Sequence, residues 1–146
     1  MKRILTAVLA IFISFSVITP IFADQVYLLG SVQIGRTIYS KSATVKVAVR
    51  FFIQNQSQDA WVLSNAPGAF TYNVTDVQTG KSVGTGSLQL TNAQNLAAGQ
   101  SDVFAVGYVT LLSPAKGFYR VFVTAPEFHD GNIKITPSAG GAIVVN

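Results

Sequence analysis

The chain of 146 residues contains no cysteine, which excludes disulfides, thiolate nucleophiles, zinc–thiolate sites and iron–sulfur clusters in any compartment. Charge is scarce too. Asp, Glu, Lys and Arg make up 11% of the residues, against about 25% in ordinary globular domains. With a 49% hydrophobic share, that balance is the reverse of a disordered chain, which is poor in apolar residues and rich in charge. There is one histidine, His129. What remains is a folded chain of a length suited to one domain.

The one long apolar run stands at the start. Lys2 and Arg3 precede a stretch from Ile4 to Ile18, and Thr19-Pro20-Ile21-Phe22-Ala23 closes it with a helix breaker and a small residue. A charged, an apolar and a cleavage region in that order read as a secretory signal peptide. The expected division is residues 1–23 as signal and 24–146 as the exported domain. A membrane anchor is the rival, since the 20 residues from Ile4 to Ala23 could span a bilayer. Pro20 and the interior Ser14, Ser16 and Thr19 weaken such a helix. No cysteine follows the cut, so a lipid anchor is excluded. Beyond position 23 there are eight basic and six acidic residues, a net charge of +2 with no basic cluster. Nothing there would neutralise phosphates or anionic lipid, so neither nucleic acid nor membrane insertion is expected. The location implied is secreted, periplasmic or cell surface.

After Asp24 the pattern is that of strands. No window keeps apolar residues at helical spacing, while alternation recurs between turn signals. The clearest strand is Thr44 to Gln54, with Val45, Val47, Val49, Phe51 and Ile53 on one face and Lys46, Ala48, Arg50, Phe52 and Gln54 on the other. A polar turn follows at Asn55 to Asp59, then Trp61-Val62-Leu63, then a break at Asn65-Ala66-Pro67-Gly68. Phe70 to Thr75 and Ser82 to Leu90 read as a hairpin around Thr79-Gly80. Asp102 to Leu112 is apolar on both faces and reads as central. Phe118 to Thr124 alternates, and Pro126 stops it. Asn132 to Thr136 and Ala142 to Val145 read as a short terminal pair, and Val26 to Tyr39 as one strand interrupted at Gly30 and Gly35. The fold class is all-β: a single antiparallel sandwich of seven to nine strands.

The order of motifs resembles immunoglobulin-like modules of bacterial surface proteins. Phe51-Phe52-Ile53-Gln54-Asn55-Gln56-Ser57, Tyr72-Asn73-Val74-Thr75-Asp76 with Thr79-Gly80-Lys81, Leu96-Ala97-Ala98-Gly99-Gln100-Ser101 and Gly117-Phe118-Tyr119-Arg120-Val121 carry the likeness over residues 43–124. Two families are similar: the intracellular proteinase inhibitor domain and the bacterial cell-adhesion-related domain. The resemblance implies an immunoglobulin-like sandwich. The chain departs from the inhibitor family in its export signal, in lacking a tryptophan-rich hairpin, and in extending past Thr124.

Catalytic chemistry has few residues to work with. A nucleophile needs a base within reach, and His129 stands beside Asp130-Gly131, a turn dipeptide. The six acids are single, so paired-carboxylate catalysis is not expected. Asp59, Asp76, Asp102 and Asp130 fall at loops or strand starts, where Asp caps turns; their convergence on calcium would lack the usual Asp-x-Asp spacing. Gly84-Thr85-Gly86 lacks the lysine and helix of a phosphate loop. Asn55 and Asn73 fit glycosylation sequons and are expected on exposed loops or strand faces. Trp61 with Tyr72, Tyr108 and Tyr119 could make a carbohydrate-stacking platform, although a single Trp in a sandwich is more often a core plug. No cofactor or metal is implied.

Low charge suits subunits that pack together. Gly140-Gly141 reads as a hinge before a terminal apolar strand, Ala142, Ile143, Val144 and Val145, which could pair with a neighbour's open sheet edge or close its own sheet. The expected function is non-enzymatic protein–protein contact as a surface or adhesion-type module. The alternatives are an exported inhibitor-like or carbohydrate-binding sandwich, with a contact loop at Asn65 to Phe70 or Ser113 to Phe118, and a small outer-membrane barrel. Protein recovered from the envelope or medium of a producing bacterium should begin at Asp24 by intact mass; an unshortened chain in the membrane fraction would establish the anchor instead.

Overall fold

The computed structural model describes residues 27–62, 68–93, 95–130 and 133–146. The expected signal peptide, 1–23, and residues 65–67 of the first candidate contact loop lie outside them. The strands are β1 (Leu28–Ile34), β2 (Ile38–Tyr39), β3 (Thr44–Asn55), β4 (Trp61–Val62), β5 (Phe70–Asp76), β6 (Ser82–Leu90), β7 (Asn95–Leu96), β8 (Ser101–Leu112), β9 (Gly117–Thr124), β10 (Phe128–Asp130), β11 (Ile133–Ile135) and β12 (Ser138–Val145).

Eight of them run in the order β1-β3-β8-β6-β5-β9-β12-β2. The order folds over on itself at β6. Residues 82–88 of that strand pair with β5, whereas Gln89 and Leu90 pair with Val106 and Ala105 of β8. One strand thus belongs to both layers of a sandwich, β1-β3-β8 facing β5-β9-β12-β2. This is an immunoglobulin-like arrangement, with β1, β3 and β8 in one layer and β5, β9 and β12 in the other. β4 pairs with β7 and β10 with β11 in two small outlying ladders.

β3 shows why these residues make this fold. Its side chains alternate strictly, and Val45, Val47, Val49, Phe51 and Ile53 are all at most 3% exposed. Each contributes about 1.5–3 kcal/mol of transfer free energy. Phe70, Val74, Val121, Val123 and Ile143 meet them from the opposite layer, all fully buried. Phe51 and Phe70 are tilted with centroids 5.4 Å apart, and Trp61 meets Phe128 edge-on at 5.1 Å. The tilted and edge-on geometries suit the ring quadrupole. At the β8–β9 connection the Tyr119 hydroxyl donates to the Ala115 carbonyl at 2.8 Å, the tyrosine corner of this architecture. Burial, and secondarily the Asp76 charge, push the Tyr119 pKa up; the Ala115 bond acts in the opposite direction.

Four expectations need correction. The one strand expected from Val26 to Tyr39 is, over its described residues 27–39, two strands, because the chain passes to the other layer after Gly35. β1 pairs antiparallel with β3, and β2 joins β12 in parallel, so the sandwich is not wholly antiparallel. The terminal pair is also different: 133–135 pairs with Phe128–Asp130, not with the tail. Finally, Gly140-Gly141 is no hinge. Both glycines lie inside β12, opposite Phe122 and Val121. A Cβ on Gly141 would come within 2.4 Å of Ile34 Cδ1, and one on Gly140 within 3.2 Å of Phe122 Cδ2. The glycines are there for close approach.

A membrane barrel would keep its polar faces inside and its apolar faces out. Here the interior is filled by aliphatic and aromatic side chains, and Lys46 and Arg50 point outward from β3.

Ala142, Ile143, Val144 and Val145 form the C-terminal half of β12. They pair with Arg120, Tyr119, Phe118 and Gly117, and Val144 and Val145 also pair with Ile38 and Tyr39. Ile143 and Val145 are buried. Losing each such core aliphatic costs about 2–5 kcal/mol, against a total stability of about 5–15 kcal/mol. Deleting residues 142–146 should therefore abolish the cooperative thermal transition; a truncated chain that melts sharply would show the tail to be dispensable.

Candidate functional site

The acids weighed for chemistry that the structure describes are engaged singly. Asp76 caps the β5–β6 turn, its carboxylate accepting from the Gln78 and Thr79 amides at 2.8 and 3.3 Å, and Gly80 follows at φ 70°. Asp102 accepts from the Val103 amide at 2.7 Å. Among the described residues no three acids or histidines gather as a metal site would require. His129 is paired with Lys134 across the β10–β11 ladder, so it is a strand residue rather than a turn residue; its side chain lies outside the described residues. The four aromatics of the carbohydrate platform do not converge. Trp61 and Tyr119 are buried in the core, and Tyr108 is exposed on the outer face of the β1-β3-β8 layer.

Asn55 is the one buried polar residue among those described. Its Nδ2 donates to the Asp59 and Leu96 carbonyls at 2.8 and 3.1 Å. Its Oδ1 accepts from the Ser57 amide at 3.0 Å and from the Ser57 hydroxyl. Its own amide donates to the Gln100 carbonyl, and its carbonyl accepts from Gly99. One side chain therefore clamps the Asn55-Gln56-Ser57 turn to the Leu96 to Ser101 loop, two motifs 41 residues apart that the resemblance had placed in order. The expected exposure of this sequon is wrong, because both amide atoms are spent inside the protein. Asn73, the other sequon, is exposed, and its Oδ1 accepts from the Ser82 hydroxyl at 2.5 Å.

The distinctive surface lies on the β5-β9-β12-β2 layer. Alternation along β9 sends Tyr119, Val121 and Val123 inward and leaves Phe118, Arg120 and Phe122 outside. Phe118 is 63% and Phe122 43% exposed. Phe118 lies opposite Val144, which lies opposite Ile38, and Val77 donates its amide to the Phe118 carbonyl at 2.9 Å. An apolar row thus crosses four chain segments. Above it Arg120 faces Ala142 and Phe122 faces Gly140, and the small residues leave a shallow depression of about 400 Å³ beside the ring and the guanidinium. The opposite layer offers a different face. There Tyr108 stands over a depression of about 640 Å³ lined also by Arg50, Ser87 and Gln89.

No family model matches the chain, and no curated protein matches it. Solved structures do. One is the CARDB domain of a Pyrococcus furiosus protein, crystallised in complex with di-metal ions: TM-score 0.43 and 12% identity over 84% of this chain and 94% of that one. The solution structure of the same domain gives 0.39 and 13% over 81% and 93%. A protein from Archaeoglobus fulgidus gives 0.43 and 12% over 84% and 98%. The cell-adhesion-related resemblance has its counterpart among these three, and the proteinase inhibitor does not. The identities are too low to transfer a site or an activity.

The sequence marks Phe118 only as the end of the candidate contact loop Ser113 to Phe118, and it leaves Phe122 unmarked. Both faces of that strand are apolar, and Arg120, in phase with the two rings, was the signal of which face meets water. For the clamp, replacing Asn55 with Ala strands the Leu96 and Asp59 carbonyls. That should cost about 2–4 kcal/mol and lower the melting temperature by about 10 °C; an unchanged melting temperature would show that the loop is held by other contacts.

Proposed function

We propose that the chain is an exported, non-enzymatic β-sandwich that acts through protein–protein contact, as a cell-surface structural or adhesion-type module. The observation that carries this reading is the outer face of β9 and its neighbours. Large aromatic side chains and arginine are the residue types enriched at contact surfaces. Here two exposed phenylalanines flank an arginine, and Val77, Val144 and Ile38 extend the apolar row sideways. The side chains stand on strands, not on a protruding loop, which suits a broad partner surface better than the narrow cleft of a protease. Dispersal of Trp61, Tyr72, Tyr108 and Tyr119 weighs against the sugar platform. Export, and with it a periplasmic or surface location, rests on residues 1–23.

Exchange of Ala142–Val145 with a neighbour would require the tail to leave its place between β9 and β2, so we place the contact on the exposed face. Cross-linking on intact producing cells should trap the protein in higher-mass protein adducts. The double change Phe118→Ser and Phe122→Ser should reduce their yield about tenfold, the effect of removing one or two contact anchors, while the melting temperature stays within a few degrees. Equal adduct yields from the variant would remove this face from the reading.

A further inference from the structure

The two strands that end the sheet order are protected differently. β2 is two residues long, Arg36 and Lys41 flank it, and the Arg36 guanidinium lies 5.7 Å from the centre of the Tyr39 ring. β1 runs seven residues, Leu28-Leu29-Gly30-Ser31-Val32-Gln33-Ile34, without a charge or a proline. Short length, charge and proline are the devices that keep a sheet edge from pairing with another chain. β1 has none of them.

The ladder shows which of its groups are free. The Gln56 amide donates to the Tyr27 carbonyl at 2.8 Å, and the Gly35 amide to the Ala48 carbonyl at 3.0 Å, at the two ends of the β1–β3 register. Bonded and non-bonded pairs alternate along an antiparallel ladder. Tyr27, Leu29, Ser31, Gln33 and Gly35 therefore turn their backbone toward β3, and Leu28, Gly30, Val32 and Ile34 turn theirs away. Among the described residues no backbone group bonds those four on the outer side. The inner face is less covered along the same line: Gly30, Val32 and Ile34 face inward yet stay half-buried, whereas the inward residues of the adjacent β3 are fully covered.

We infer that β1 is a homotypic pairing strand: a second copy lays its own β1 antiparallel along this edge, centred on Ser31. This rests on the protein-contact reading, but it names a different surface and a particular partner. The register follows from the free groups. With Ser31 opposite Ser31 of the second copy, Leu28 meets Ile34 and Gly30 meets Val32, so all four outward-turned residues of each strand fall in bonding pairs. The inward positions then match apolar to apolar, and Leu29 meets Gln33 outside. No like charges are brought together, and two three-stranded layers become one continuous sheet. The chemistry that recognises the edge is an uncharged extended strand, which β1 itself supplies.

The test uses the chain purified from cells that export it. Sedimentation velocity should show a monomer–dimer equilibrium, and the amides of Leu28, Gly30, Val32 and Ile34 should exchange more slowly as concentration rises. Ser31→Lys and Ser31→Glu, each alone, place like charges opposite each other and should weaken the dimer at least about tenfold; mixing the two variants should restore it. Ser31 is exposed, so the diluted monomers should melt as wild type does. A wild-type chain that stays monomeric to millimolar concentration would overturn the proposal, as would dimers indifferent to both changes or a mixture that fails to recover. Dimers lost with Phe118→Ser and Phe122→Ser but kept with Ser31→Lys would overturn the edge while leaving the contact reading in place.

Discussion

The buried face of β3 is the constraint on which the rest of the sandwich depends. Its five inward side chains have no exposure to spare, so β1 and β8 must flank it and the opposite layer must cover it. A slip of one residue in its register would drive Lys46 and Arg50 into the core and expose the valines. The charged outer face thus works as a register lock. The penalty for burying unpaired charge is far larger than any single aliphatic contributes.

Closing a sandwich around such a strand needs devices at its corners, and three are visible. β6 crosses between layers, so the two sheets are joined covalently and by ladder hydrogen bonds at one side. Asn55 ties the far end of β3 to the loop before β8, with its amide fully satisfied in a place where an unsatisfied one would be costly. The Tyr119 hydroxyl holds the turn before β9. With no disulfide available, the corners are held by these polar contacts and by the strand that crosses between the layers.

The buried core and the exposed apolar row use opposite sides of the same strands. β9 sends Tyr119, Val121 and Val123 into the core and presents Phe118, Arg120 and Phe122 to water. Such a surface is expensive for a solitary soluble domain, where apolar patches are kept small and interspersed with charge. The chain has few charges with which to break one up. The uncharged β1 edge belongs to the same pattern.

The all-β class, the alternation and inner face of β3, the hairpin at Thr79-Gly80, the central position of residues 102–112 and the burial of Trp61 were legible in the sequence, because each depends on period, turn chemistry or residue size within a short window. Other features depended on partners distant in the chain. Gly140-Gly141 looked like a hinge and proved to be a packing surface, since only Ile34 and Phe122 give those glycines their meaning. Asn55 looked like an exposed turn residue, since its partners at Leu96, Gly99 and Gln100 approach only when β3 and β8 align. Val26 to Tyr39 looked like one strand, since the crossing between layers leaves no mark beyond Gly35. Local pattern by itself determined what kind of structure this chain forms and which side of β3 is dry. Only the tertiary structure decided which segments extend the apolar row of β9, where the tail pairs and which edge is left open, because those are relations between segments and no segment carries them alone.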